Sequence, residues 1–217
     1  MRYYISDLHF FHYNLCNRMD KRGFNSVDEM NDFMISQWNS RVHKNDEVVI
    51  LGDFSMGSAE QTEEVLKKLN GKKYLITGNH DKFLKDKSFN YKLFEWVKPL
   101  AELNDNNKKV ILCHTPTFCY PGQFRLDENC NPKVYMLFGH VHNTLDLKLT
   151  DEFQEITRNS LRSQKDGSVV TVPCNMINCF CMFSNYIPLT LEEWIELEKE
   201  RVESPVYEEK WISSKYV

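Results

Sequence analysis

The stretch YLITGNHD, residues 74–81, decides how this chain folds. Leu75-Ile76-Thr77 reads as the end of a buried strand. The chain then meets Gly78, Asn79, His80 and Asp81 in a row. A turn uses glycine and asparagine readily, but it has no need of His80 or Asp81. A strand that runs straight into such groups delivers side chains that coordinate metals or exchange protons.

The pattern repeats outward from this point. RYYI (2–5), VVIL (48–51), KYLIT (73–77), KVILC (109–113) and VYMLF (134–138) have the length and composition of buried strands. They are followed in turn by Ser6-Asp7-Leu8-His9, Gly52-Asp53, Gly78-Asn79-His80-Asp81, His114, and Gly139-His140-Val141-His142. In open α/β sheets the ligand site lies beyond the carboxyl ends of the strands. Five strand ends therefore bring ligand-type residues to one rim. Of the seven histidines, five stand directly after a strand, His12 follows close behind His9, and His43 alone is outside the pattern. Asp-x-His and His-x-His place side chains two apart on extended backbone, so both can face the same way.

Helical patterns separate the runs. Ser26 and Glu29 form a capping box ahead of a helix near 27–42, with Met30, Phe33, Met34 and Trp38 on one face. A second helix spans 59–69 and stops at Asn70-Gly71. A third covers 151–162, with Phe153, Ile156 and Leu161 on one side. A fourth, over 191–203, opens on a capping box of Thr190 and Glu193. Runs 168–173 and 179–183 read as two more strands, and 115–133 as the longest loop. Alternating strands and helices predict an α/β fold.

The 217 residues carry 41% hydrophobic and 13% aromatic side chains, which suits one globular domain over 1–217, with residues from about 204 as a tail. The net charge of −4 does not indicate a broad grip on nucleic acid. No apolar run reaches the roughly 18 residues a membrane span needs. The N-terminus is too short and polar for a signal peptide. Seven cysteines, an odd count without CxxC spacing, read as buried reduced thiols and predict a cytoplasmic location.

The order D-x-H, GD, GNHD, H, GHxH resembles the calcineurin-like metallophosphoesterases, from Asp7 to His142. The stretch DLHFFHYN, followed by a helix with EMN and WN and then LGDF, is similar to a small bacterial and phage subgroup. The resemblance implies a four-layer α/β-β/α sandwich: two mixed sheets packed face to face and flanked by helices, carrying two divalent ions. It places Asp7, His9 and His142 at a first metal, and Asn79, His114 and His140 at a second. Asp53 bridges the two, and His80 stands beside the leaving group. Many members extend the second block to GDxxDRG, whereas this chain reads GDFSMG. His12 and Arg22 are then the candidates to grip phosphate.

Two ions roughly 3.5–4 Å apart hold a phosphoester, lower the pKa of a bridging water and neutralise developing charge. Mixed nitrogen and oxygen donors suit Mn, Fe, Zn, Ni or Co better than Ca or Mg. Asn79 is an uncharged oxygen donor that leaves the pair a net positive charge. A histidine such as His80 can protonate the departing oxygen. Asp81 orients His80 or braces the turn, and Gly78, Gly52 and Gly139 let the backbone turn sharply. The expected activity is hydrolysis of phosphomono- or phosphodiester bonds by a metal-bridging hydroxide. Its substrate would be a small phosphoester or nucleotide, with Phe10, Phe11, Phe118, Tyr120 and Phe124 as candidates to stack on a base. The alternatives are an inactive metal-binding interaction module on the same fold and a dinuclear amidohydrolase on an eight-stranded barrel.

Overall fold

The computed structural model describes residues 1–129, 131–163, 165–171 and 173–203. Cys130 and the tail expected from about 204 lie outside the described residues. In chain order the first elements are β1 (Arg2–Ile5), α1 (Tyr13–Asn17), α2 (Val27–Arg41), β2 (Glu47–Ile50), α3 (Ala59–Lys68) and β3 (Lys72–Ile76). There follow β4 (Trp96–Lys98), β5 (Leu100–Asp105), β6 (Lys108–Cys113), β7 (Val134–Phe138) and α4 (Leu145–Asn159). The remaining elements are β8 (Leu161–Ser163), β9 (Val169–Thr171), β10 (Met176–Asn178) and α5 (Leu191–Glu203).

One sheet has the order β1-β2-β3-β4 and is parallel throughout, with Ile5, Ile50, Leu75 and Val97 in register across it. The other has the order β10-β7-β6-β5, with β5 alone running antiparallel, to β6. Side chains alternate across a strand, and here each face finds its own core. Tyr3, Ile5, Val48, Ile50 and Leu75 pack with Met30, Met34 and Trp38 of α2 and Val65 and Leu66 of α3. Tyr4, Val49, Leu51 and Ile76 meet Val110, Leu112, Tyr135 and Leu137 between the sheets. Ile111, Met136 and Phe138 face Leu147 of α4. The layers are thus helix, sheet, sheet, helix, which is the fold that the resemblance implies. Two open sheets take the place of the eight-stranded barrel an amidohydrolase would use.

Helix α5 closes one end of the inter-sheet core. Leu191 and Trp194 enter that core, and Trp194 Nε1 donates to the Tyr4 carbonyl at 2.9 Å. Its capping box is complete: Thr190 N donates to Glu193 at 2.9 Å, and Glu193 N to Thr190 Oγ1 at 3.3 Å. The box expected at α2 is half made. Ser26 Oγ accepts from Glu29 N at 3.1 Å, but the Glu29 carboxylate turns to Asn25 instead.

Several expectations need correction. Run 179–183 is not a strand: the chain pairs at 176–178, where Met176, Ile177 and Asn178 are buried on both sides, and then coils into a 3-10 turn over Cys181–Ser184. Run 168–173 is not a buried strand, because β9 forms an exposed hairpin with β8. Helix α4 starts at Leu145, six residues before the expected start, and exposes Ile156, while Leu161 stands exposed in β8. Its buried face is Leu147, Thr150, Gln154 and Thr157. Those polar groups are occupied: Met176 N donates to Gln154 Oε1 at 2.8 Å, and Cys174 N to Thr157 Oγ1 at 2.9 Å. Strands β4 and β5 were not expected, since Pro99 interrupts them and LAELND carries little apolar signal. The turn from β5 to β6 uses Asn106 and Asn107, both at positive φ, a pair suited to tight hairpins. Of the cysteines, Cys16, Cys174, Cys179 and Cys181 are buried and free, but Cys119 is exposed. No helix among the described residues is long and apolar enough to cross a membrane.

Candidate metal centre

The carboxyl ends of β1, β2, β3, β6 and β7 meet where the two sheets adjoin. Immediately past them the backbone coils tightly. Asp7, His9, Asp53, His140 and His142 have φ of 56°, 50°, 52°, 72° and 47°. Such left-handed backbone costs of order 1 kcal/mol or more per non-glycine residue and persists where surrounding structure enforces it. The enforcement is visible: Asp7 N donates to the Gly52 carbonyl at 3.1 Å, and His9 N to the Asp53 carbonyl at 2.9 Å. Asp-x-His and His-x-His are therefore not extended segments here: a tight coil, not strand alternation, brings these side chains together.

Two donor groups result. Asp7, His9 and His142 each offer an atom within 4.8 Å of the others, and so do Asp53, His114 and His140. Asp53 Oδ2 lies 3.5 Å from His9 Nε2 and 3.3 Å from His114 Nε2, between the two groups. Asn79 Oδ1 lies 3.0 Å from His114 Nε2. His9 Nε2 and His142 Nε2 are 3.2 Å apart.

The chemistry of this donor set fits two cations. His114 Nδ1 donates to the Leu51 carbonyl at 2.8 Å, and His142 Nδ1 pairs with Asp20 Oδ1 at 2.8 Å. Each ring therefore spends its outer nitrogen on a partner and turns Nε2 to the centre, the arrangement that orients metal-binding imidazoles. Asp20 carried no sequence signal. It stands in no strand-end motif, and only the fold brings it to His142.

Charge is concentrated here. Burial would raise the Asp53 carboxyl, but the hydrogen bond and charge of His114, with His9 and the His80 amide, push it far below the usual carboxylate range. Burial works against a charged His114, yet Asp53 and Asp7 carry it up to about 9. His9 goes the other way: burial and the neighbouring His142 hold it well below the ordinary value, in the neutral form a cation needs.

The remaining expected residues divide. His80 lines the cavity, and its amide donates to Asp53 Oδ1 at 2.8 Å. His12 lines the same cavity, and its ring centroid is 5.4 Å from that of His9. Arg22 does not face it. Its guanidinium is buried and donates to the carbonyls of Asp7 at 2.9 Å and Leu8 at 2.8 Å, and to Asp20 at 3.0 Å. It clamps the strained turn from beneath, and no side of it is left for phosphate. Asp81 accepts from Gly78 N at 2.8 Å, Phe54 N at 2.7 Å and Asp53 N at 3.1 Å. It braces two turns, and among the described residues His80 Nδ1 has no hydrogen-bond partner.

The glycines also need another reading. Of Gly52, Gly78 and Gly139, only Gly52 has positive φ. At Gly78 and Gly139 the requirement is room. A Cβ on Gly78 would sit 2.2 Å from Asp53 N, and one on Gly139 2.4 Å from Asp7 Oδ2. None of the expected stacking aromatics lines the cavity: Phe10 packs on Phe54, Phe118 on Phe153, and Tyr120 is buried with Val134 and Met136. The aromatic part of the wall belongs instead to Phe180 and Phe183.

Residues 3–173 match the family of calcineurin-like phosphoesterases, and the chain belongs to that family. It is 35% identical over 150 residues to uncharacterized protein MJ1445 of Methanocaldococcus jannaschii, a match covering 66% of this chain and 71% of that one. Its fold is similar to that of a solved protein of unknown function, AQ665 from Aquifex aeolicus. There the TM-score is 0.61 at 22% identity, over 91% of this chain and 98% of the other. Family and donor groups together support a metal-dependent phosphoesterase in general terms.

Proposed function

We propose that this chain hydrolyses phosphoester bonds at a dinuclear divalent-metal centre. The observation that carries the reading is the position of Asp53 Oδ2, 3.5 Å from His9 Nε2 and 3.3 Å from His114 Nε2. One carboxylate oxygen is thereby shared by two otherwise separate donor groups. Asp7, His9 and His142 would hold one ion, and Asn79, His114 and His140 the other. When bound, the ions supply charge to neutralise phosphate and acidify water.

The chain's own residues do the rest. Asp20 keeps the His142 ring oriented, and the Leu51 carbonyl fixes the His114 tautomer. Asp81 and Arg22 hold the turns that carry Asp53 and Asp7. His80, anchored through its amide to Asp53 and lining the cavity, donates a proton to the departing oxygen.

Hydrolysis of bis-p-nitrophenyl phosphate and p-nitrophenyl phosphate with Mn²⁺, Ni²⁺ or Zn²⁺ tests this. Turnover should require added metal. His80→Ala should keep its metals yet lose about 10²–10⁴-fold on esters with poor leaving groups. Undiminished turnover on such esters would remove His80 from the mechanism. No turnover by metal-replete protein on any ester would leave the inactive binding module.

A further inference from the structure

The cavity beside the metal centre is about 490 Å³, far more than a phosphate fills. Its wall has two parts. Nearest the centre stand His9, Asp53, His80, His140 and His142. Beyond them lies an apolar shelf of Leu15, Met19, Phe180, Met182 and Phe183. Phe180 stacks on the His142 ring with centroids 4.6 Å apart and planes 24° from parallel, so the shelf begins directly at a donor residue. Met19, Met182 and Phe183 are half-buried and present surface to the cavity.

The charges on the wall are as informative as its apolar part. Among the described residues no lysine or arginine lines the cavity, while Asp20 and Asp146 do. Arg22, the nearest buried cation, is spent on Asp7, Leu8 and Asp20. Asp20 is paired with Arg22 and His142, but a polyphosphate or a further phosphodiester link would meet the Asp146 carboxylate, with no lysine or arginine on the cavity wall to receive it. A flat uncharged group would meet thioethers and aromatic rings, which suit it.

We propose that the substrate carries one phosphoryl group and a bulky, uncharged aryl or nucleoside arm, which lies on the shelf of Met19, Met182 and Phe183. Polyanionic esters are disfavoured by Asp146 and by a wall without lysine or arginine among the described residues. This rests on the phosphoesterase reading above and narrows it to a substrate class.

The test uses metal-loaded full-length protein and non-hydrolysable phosphonates. Phenylphosphonate should bind at least about tenfold more tightly than methylphosphonate, the extra affinity coming from the buried ring. With methyl-labelled methionine, phenylphosphonate should shift the Met19 and Met182 methyl resonances and methylphosphonate should not. Met19→Ala and Met182→Ala should each narrow the ratio. 4-Carboxyphenylphosphonate should bind at least about fivefold more weakly than the unsubstituted ring, and Asp146→Asn should reduce that gap. Equal affinities for the phenyl and methyl compounds, or unmoved methionine methyls, would overturn the inference. So would equal binding of the carboxylated ring. If inorganic phosphate binds but the ring adds nothing, this inference alone fails. If phosphate does not bind at all, the phosphoesterase reading falls and carries this one with it.

Discussion

At the scale of single residues, the site is governed by close approach as much as by ligand type. Asp53 Oδ2 lies between the two donor groups, and the turn at residue 78 passes within contact distance of the Asp53 backbone. Gly78→Ala would press a Cβ to 2.2 Å from both Asp53 N and Asp53 Oδ1, and a backbone atom cannot swing aside. We expect a loss of at least about 2 kcal/mol in unfolding free energy and reduced metal content, read by denaturant melts and metal analysis. An alanine variant with unchanged stability and metal content would show that the two turns can separate without cost. Most donor residues were legible from sequence, because aspartate and histidine directly after a strand have little structural use. Asp20 and the clamp by Arg22 were not, since both act through contacts that only the fold creates.

At the scale of elements, strands with continuous apolar runs could be read directly, whereas elements stabilised by polar contacts could not. Helix α4 shows why. Its buried face includes Thr150, Gln154 and Thr157, which no hydrophobic pattern marks. They dock the helix on the β10 segment by supplying acceptors to the backbone amides of Met176 and Cys174. Gln154→Leu keeps the shape and leaves Met176 N without its acceptor. That should cost about 1–3 kcal/mol, measured as a shift in denaturation midpoint with unchanged slope. No shift would mean that the amide finds another partner. Strand β5 was hidden for the opposite reason. It is an edge strand, paired on one side to β6, and its composition is that of an exposed edge.

For the whole molecule, the two sheets and their helices hold opposed charges where two cations would sit. Without metal, His114 is raised to about 9 by Asp53 and Asp7. A group whose folded pKa is raised stabilises the fold fully below its unfolded value, about 6.5 for histidine, and that contribution fades as pH climbs through the folded value. The metal-free protein should therefore lose thermal stability between about pH 6.5 and 9. Metal affinity should rise over the same interval, because binding must displace the His114 proton. Thermal melts of chelator-treated and Mn²⁺-loaded protein across this range check both signs, and a metal-free melting temperature that rises with pH would contradict the pairing.

The central claim is that one oxygen of Asp53 joins two cation sites. Metal analysis at saturating Mn²⁺, on the parent protein and on Asp53→Ala, tests it most directly. The parent should bind two ions per chain, and the variant should lose at least one. Saturation at one ion or none in the parent, or two ions undiminished in the variant, would contradict it.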